Sequence, residues 1–463
     1  SPVEKTALAE AEVEYHDVTS HMVWVRFRFQ KPAIFVTSEL GKGTWAAETL
    51  TKASVVIWTT TPWTIPQNRA VSFNPEIAYG AYRIDEMGEH STAMVGEVVI
   101  IADKLAEGVM TAGKVAAFTR LGDVTTDLLN GQTLSHPYAG IEGGNGEWDF
   151  PVPMVAGDHV TDDAGTGFVH TAPSHGDDDY QMGLKYNLGM TYNVEPDGTY
   201  RANLPLFGGK AILRNEPDPK NKKNPWDGEA NIANIKALHG TGALFAKGTL
   251  HHSYPHSWRS KAPLIYRNTP QWFVAIDKPL NDGMGQHGDT IRQRALNSIN
   301  DLVAWTPQTG RNRLHSMIEA RPDWVLSRQR AWGVPLTAFT KKGAQPTDAD
   351  FILRNAEVNA RIKAAFEADS ADVWYTAGFK EKVLGGIVNP DDYIQVMDVL
   401  DVWFDSGSTH AFVLRDRVDG SIDGLADLYL EGTDQHRGWF HSSMLQSCGT
   451  KGRAPYRGVL THG

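Results

Sequence analysis

The chain has 463 residues, 41% of them hydrophobic and 21% charged, which is the balance of a folded protein rather than a disordered or fibrous one, with length enough for several domains. A formal net charge of -11 excludes a chain that binds phosphates by bulk attraction, so any nucleic-acid partner has to be held by local patches. The single cysteine, Cys448, excludes a disulfide framework and a four-thiolate zinc site and points to a cytoplasmic protein; the acidic, charged start and the lack of a long apolar run predict neither a signal peptide nor a membrane span.

Residues 1 to 35 alternate as a strand does, and "MVWVRFRFQ" places Val23, Val25 and Phe27 on one face and Trp24, Arg26 and Arg28 on the other, an extended ribbon. From Ser54, "SVVIWTT" reads as a buried strand running into the Pro-interrupted loop "TPWTIPQNRA"; "YGAYRI" is a further strand, and a helix is predicted around Ile101 to Met110. "GTGFVHTAPSHGDDD" is a turn-rich loop, and "DYQMGLKYNL" then has the spacing of a short helix with acidic residues in its first turn. The polar "LRNEPDPKNKKNPWDGE" marks an exposed loop before a helix at about Ala230 to His239, with a boundary near residue 245. Beyond it "GTLHHSYPHSWRSKAPLIYRNTPQWFVAI" is strand-rich, and Asp289 to Leu302 is an amphipathic helical stretch. The strand-like runs "YIQVMDVLDVWF", "LADLYLEG" and "RGVLTHG", with a helical "RGWFHSSMLQSC" among them, predict a parallel α/β sheet, so the fold class is α/β with mixed α+β parts.

Two segments form a candidate hydrolytic pocket: "WTTTPWTIPQN", with Thr59, Thr60, Thr61, Trp63, Thr64 and Asn68, and "GTGFVHTAPSHGDDDY", with His170 and Asp179. Threonine hydroxyls and backbone N–H groups can hold a ribose, a carbonyl oxygen or a water, a carboxylate can clamp an ammonium group, and an imidazole can wall the pocket or orient a water. A threonine run is also what a strand edge looks like, and Asp177 to Asp179 also suit a helix cap. His170, His175 and the three aspartates lack a metal-site spacing such as HExxH, so no metal is expected. The phosphate-loop-like "ELGKGT" at Glu39 lacks the first glycine of GxxxxGK[ST].

"WTTTPWTIPQNRAV" and "GTGFVHTAPSHGDDDY" resemble the threonine-rich peptide and the aspartate-bearing loop in the editing domain of isoleucyl-tRNA synthetases. Valyl and leucyl relatives typically carry an arginine-containing "TTRP" where this chain has "TTPW", and lack the His-Thr of "VHTAP". "YPHSWRSKAPLIYRNTPQWFVAI", "PDWVLSRQRAWGVPL", "DVWFDSG" and "YLEGTDQHRGWFHSS" resemble the same family in the same order, so the similarity covers nearly the whole chain. The resemblance implies a connecting β-ribbon over 1–45, an editing domain over 46–245, a return ribbon over 246–300 and the second half of a Rossmann-like catalytic domain over 301–463. It also implies that Trp403, Glu431, Gly432, Asp434, Gln435, Trp439 and His462 lie around an isoleucyl-adenylate. Read without the resemblance, "EGTDQHRGWF" is a strand end leading into a helix, where open α/β sheets bind ligands and where a capped helix alone would look the same.

Valine is isoleucine less one methylene, and the small preference that group confers in this enzyme family, about 1 to 3 kcal/mol, is carried over from the family rather than derived from this chain. A second pocket that admits valine and excludes isoleucine resolves the difficulty; the resemblance gives His170 the size limit and Asp179 the valyl ammonium. Hydrolysis then needs a positioned water and a stabilised oxyanion, with help available from the terminal ribose hydroxyl, and the absence of a GxSxG elbow agrees with direct water attack. The implied partners are the tRNA(Ile) acceptor end, valine and, in the intact enzyme, isoleucyl-adenylate; editing needs no cofactor, the intact synthetase uses ATP with Mg, and the chain is read as a monomer. Neither a HIGH-type nor a KMSKS-type signature occurs, so the chain alone is not expected to activate isoleucine. Ser257 and Ser260 stand where some relatives have cysteines, which predicts no zinc there, and Phe168, Ser174 and Asp177 depart from common residues of the pocket wall. The competing readings are a valyl- or leucyl-type editor that removes threonine or another non-cognate amino acid, and a fragment that only binds the acceptor end or an aminoacyl-adenylate mimic.

Overall fold

Val23, Val25 and Phe27 are fully buried on one face of β1 (Val13–Arg28), as their alternation predicts, in a computed structural model that describes residues 1–8, 12–30, 53–329 and 333–463. The "ELGKGT" segment, the expected boundary at 45/46 and Arg330 to Trp332 lie outside the described residues. The chain forms two compact units, Ser1–Thr269 and Pro270–Gly463.

In the first unit a six-stranded sheet has the order β10-β1-β2-β5-β4-β6. Its further strands are β2 (Ala53–Thr59), β4 (Tyr79–Met87), β5 (Val98–Ala102), β6 (Val115–Val124) and β10 (Leu244–Ser257). β1 and β10 pair antiparallel from Val13↔Ser257 to Val25↔Leu244, and β2 and β5 pair parallel. A four-stranded sheet has the order β7-β8-β3-β9, from β7 (Thr133–Ser135), β8 (Pro151–Ala156), β3 (Ala70–Phe73) and β9 (Phe168–Thr171). Its Val71, Phe73, Met154 and Phe168 share one core with Val23, Val25 and Phe27. On the other side of the six-stranded sheet, Val56, Val99 and Ile101 pack with Val109 and Met110 of the helix Ala106–Ala112.

That double coverage accounts for a difference from the sequence reading. The helix expected from Ile101 starts only at Ala106, and "VVIIA" is a strand, because a strand covered on both faces is apolar at every position and loses its alternation. Double coverage also buries Arg26, which pairs with Glu97, donates to the Leu244 and Thr92 carbonyls at 2.6 and 2.9 Å and lies over the Phe245 ring. Such a pair is kept only if its hydrogen bonds are complete.

In the second unit, Ala304–Thr306, Gly458–His462 and Tyr429–Gly432 form a parallel three-stranded sheet in that order. The helix Trp439–Lys451 joins the latter pair and buries Phe440, Met444, Leu445 and Cys448; burial pushes the Cys448 thiol up to about 12, far from a reactive thiolate. The helix expected over Asp289 to Leu302 is Ile291–Asn297, capped by the Thr290 hydroxyl, and continues as a wider turn over Ser298–Leu302. In "YIQVMDVLDVWF" only Tyr393–Gln395 and Val399–Leu400 are strands, because the Asp401 carboxylate accepts from Trp403 N and starts the helix Val402–Gly407. The fold class is mixed α and β, and no helix among the described residues is long and apolar enough to cross a membrane.

Candidate active site

β2 ends at Thr59, and a short 3-10 turn over Pro62–Gln67 follows, in which the prolines at 62 and 66 set the backbone and remove donors. Every residue of that turn is buried, so its backbone polar groups need partners, and distant side chains supply them. Tyr200 Oη donates to the Trp63 carbonyl at 2.6 Å, Trp148 Nε1 to the Pro66 carbonyl at 3.0 Å, and His136 Nε2 lies 3.0 Å from the Ile65 carbonyl. The Trp63 N–H donates to Asn231 Oδ1 at 3.2 Å. Tyr200 in turn accepts from Asn234 Nδ2 at 2.9 Å. Tyr200→Phe therefore leaves the Trp63 carbonyl with only the Gln67 amide, 3.1 Å away, and is expected to cost about 0.5 to 1.5 kcal/mol, read as a lowered urea midpoint with an unchanged slope.

The clamped turn carries a directed chain of hydrogen bonds. Asn68 Nδ2 donates to the Ala70 carbonyl at 2.8 Å, which fixes the amide's orientation, and lies 3.0 Å from His170 Nδ1, which must therefore accept. The His170 proton then sits on Nε2 and is donated to Thr64 Oγ1 at 2.8 Å. Thr64 Oγ1 spends its own proton on the Thr61 carbonyl at 2.8 Å and so accepts from Thr61 Oγ1 at 3.2 Å. Thr61 Oγ1 lies 3.1 Å from Thr59 Oγ1, which accepts the Thr61 N–H at 3.1 Å. Burial, with His175 nearby, holds His170 down at about 3, so its imidazole is neutral.

Asp179 opens the helix Asp177–Lys185, which follows the loop after β9. Its carboxylate accepts the Ala172 N–H at 2.9 Å, and burial pushes it up to about 6, with the nearby Asp178 adding to the rise. Asp177 and Asp178 are exposed in the same turn. His175 packs edge-on against Trp63 at 5.0 Å and donates from Nδ1 to the Tyr266 carbonyl at 2.9 Å. Asn68 Oδ1 and His175 Nε2 are buried atoms with no hydrogen-bond partner among the described residues. Thus Thr59, Thr61, Thr64, Asn68 and His170 share one network, Trp63 meets the loop through His175, and Asp179 is tied to that loop through Ala172. Thr60 is outside the network and, with Thr61, borders a small cleft with His21, Asp227 and Asn231, which sequence reasoning missed because no local pattern marks the contact of His21 with Asp227, 206 positions apart. Among the described residues, no group of three or more His, Cys, Asp or Glu side chains is placed to hold a metal ion. Ser257 donates to Glu4, Ser174 to the Thr191 carbonyl at 2.7 Å, and Phe168 lies on Tyr79 at 4.5 Å.

Residues 1–463 match the family described as tRNA synthetases class I (I, L, M and V). The chain belongs to the class I tRNA synthetases. It is 58% identical over 470 residues to isoleucine–tRNA ligase of Ruegeria pomeroyi, covering 100% of this chain and 46% of that protein. The isoleucine–tRNA ligases of Bradyrhizobium diazoefficiens, 47% identical over 483 residues, and Brucella abortus, 49% over 474, are each covered to 45% and cover 100% of this chain. The chain thus spans about half the length of the curated relatives it matches. Among solved structures, the Plasmodium falciparum cytosolic leucyl-tRNA synthetase editing domain overlaps 49% of this chain and 82% of that one at 11% identity and a TM-score of 0.29, too loose to argue from.

In this class I chain the second set of predicted residues gathers at the carboxyl ends of parallel strands, where open α/β sheets take ligands. Gly432 and His462 are register partners, and Glu431 pairs with Thr461. Asp434 and Gln435 fill the turn before the helix Trp439–Lys451, with Gln435 Nε2 donating to Asp434 at 3.1 Å and Gln435 Oε1 accepting the Trp439 N–H at 3.0 Å. Trp439 stacks on Tyr429 at 4.0 Å. A Cβ at Gly438 would lie 2.6 Å from Gln435 Oε1 and 2.7 Å from the half-exposed Trp403, so glycine lets these groups converge.

Proposed function

We propose that the first unit is an editing site that hydrolyses the ester of valine wrongly attached to tRNA(Ile), within a protein that as a whole joins isoleucine to that tRNA with ATP and Mg. The observation that carries the reading is the oriented Thr59–Thr61–Thr64–His170 chain beside a loop that ends on a half-buried carboxylate. Hydroxyls whose protons are already directed within the chain turn their free lone pairs to the donors of the ribose and of the attacking water. Asn68 Oδ1 and His175 Nε2 are acceptors for the donors of the terminal adenosine. Asp179 receives the valyl ammonium, which repays the burial of its charge. His170 is too weak a base to deprotonate water at neutral pH, and its neutral ring walls the pocket against the extra methylene of isoleucine. Water attacks the ester carbon directly, with a hydroxyl of the terminal ribose placed to relay the proton.

The family division into connecting ribbon, editing domain, return ribbon and half of the catalytic domain belongs to the same proposal. So does the assignment of Glu431, Gly432, Asp434, Gln435, Trp403, Trp439 and His462 to the isoleucyl-adenylate site: exposed carboxylates and a glycine at strand ends suit ribose and ammonium groups. ATP with Mg would supply the activated phosphoryl centre in the complete enzyme. Thr61→Ala breaks the chain at its centre and is expected to slow deacylation of Val-tRNA(Ile) by about 10-fold or more, the loss of roughly one hydrogen bond; an undiminished rate would remove Thr61 from the site.

A further inference from the structure

Pro62 has no N–H, so the first donor of the buried turn Pro62–Gln67 is the Trp63 N–H. Thr61 stands at the N-cap, where a threonine hydroxyl ordinarily accepts that donor or the next one. Here it accepts neither. The Thr64 N–H goes to the Thr61 carbonyl at 2.9 Å, and the Thr61 side chain makes no cap hydrogen bond. The residue sits at φ -123°, ψ 71°, short of the extended region in which an N-cap usually lies. Its hydroxyl is engaged instead with Thr59 Oγ1 at 3.1 Å and Thr64 Oγ1 at 3.2 Å.

The helix Glu229–Gly240 supplies the cap. Asn231 Oδ1 accepts the Trp63 N–H at 3.2 Å, and Asn231 Nδ2 donates to Asp227 Oδ1 at 2.8 Å, which fixes the orientation of the amide. Asp227 is itself held, with Oδ2 2.9 Å from His21 Nε2. Three positions on, on the same helix face, the fully buried Asn234 donates to Tyr200 Oη, whose own proton goes to the Trp63 carbonyl. One helix thus secures both peptide groups of Trp63. Resting on the editing reading of the threonine chain, we infer that Asn231 is a positioning residue of that site: it caps the turn from a neighbouring helix and so releases the Thr61 hydroxyl to the chain that serves the substrate. Without the Asn231 acceptor the Trp63 N–H is left unbonded in a buried turn, and Thr61 is the residue placed in sequence to cap it. Its hydroxyl then leaves Thr64 for the cap, and the turn keeps its fold while the chain loses its centre.

The test is a double-mutant cycle of Asn231→Leu and Thr61→Ala in the intact chain, read as kcat and KM on Val-tRNA(Ile) and as urea unfolding. Asn231→Leu is expected to lower kcat about 10-fold and leave KM within about twofold, the loss of roughly one hydrogen bond at the reacting centre. Thr61→Ala should add nothing to that loss, because the hydroxyl has already left the chain. It should nevertheless lower the urea midpoint more in the Asn231→Leu background than in the parent, because there it removes the cap. A second pair of variants tests the same bond by exchange. Asn231→Asp alone sets two carboxylates against each other and should lower kcat; adding Asp227→Asn restores the bond with donor and acceptor swapped and should return kcat to within about twofold of the parent. An undiminished kcat in Asn231→Leu, additive losses in the cycle, or no recovery in the exchange overturns the assignment, and the exchange decides alone if Asn231→Leu does not fold. A parent chain that leaves Val-tRNA(Ile) intact overturns the editing reading itself, and the role of Asn231 with it.

Discussion

Replacing Asp179 with alanine is expected to lower kcat/KM for Val-tRNA(Ile) by about 100-fold, because a charge-assisted contact between a half-buried carboxylate and an ammonium group is worth roughly 1.5 to 3 kcal/mol. The parent chain should show the same dependence through pH. With the Asp179 carboxyl pushed up to about 6, the free protein loses the negative charge as pH falls through that value, and kcat/KM should fall with it, about tenfold per unit below the midpoint. The sign for stability is opposite. A raised folded pKa favours the protonated form, so the contribution is present at low pH and lost as pH rises through about 6. Asp179→Asn keeps an acceptor for the Ala172 N–H and removes a burial cost on the order of 2 to 3 kcal/mol, so at neutral pH it should unfold no earlier than the parent while failing to deacylate. Thermal unfolding and initial rates on the same two proteins check both halves; a variant that is inactive because it is unfolded would break the argument.

His170→Ala should change selectivity rather than abolish turnover. The ring is neutral and buried, and its neighbours keep bonds without it: Thr64 still donates to the Thr61 carbonyl and Asn68 to the Ala70 carbonyl. Removing it opens space at the wall, and Ile-tRNA(Ile), rejected by the parent, should become a substrate with a gain of about 10- to 100-fold, the range one methylene commands in synthetases of this family rather than a figure derived from this structure. The Val-tRNA(Ile) rate should fall much less. Continued rejection of isoleucine by the variant would move the size limit to another residue, His175 against Trp63 being the nearest alternative wall.

Alternation in "MVWVRFRFQ" is a local property, and the buried face it predicts for Val23, Val25 and Phe27 is present. The threonine run and the His170 segment were likewise visible as residue types, and the fold joins them through Thr64 and Asn68. Neither pattern reveals what holds the turn. Tyr200, Trp148 and His136 reach its carbonyls from 71 to 137 positions away, and His21 meets Asp227 across 206. Such pairs leave no trace in a linear pattern, because each residue alone reads as ordinary core or loop. Arg26 misleads in the same manner: a charged residue on the second face of a strand looks solvated until Glu97 and the Leu244 carbonyl enclose it. The strand "VVIIA" lost its period once both faces were covered.

The most direct test of the central claim is the rate at which the intact chain deacylates Val-tRNA(Ile) and Ile-tRNA(Ile), measured side by side against the uncatalysed ester. The account predicts release of valine at least about 10-fold faster than release of isoleucine. Loss of both amino acids at equal rates, or no loss of valine above the uncatalysed rate, would contradict it.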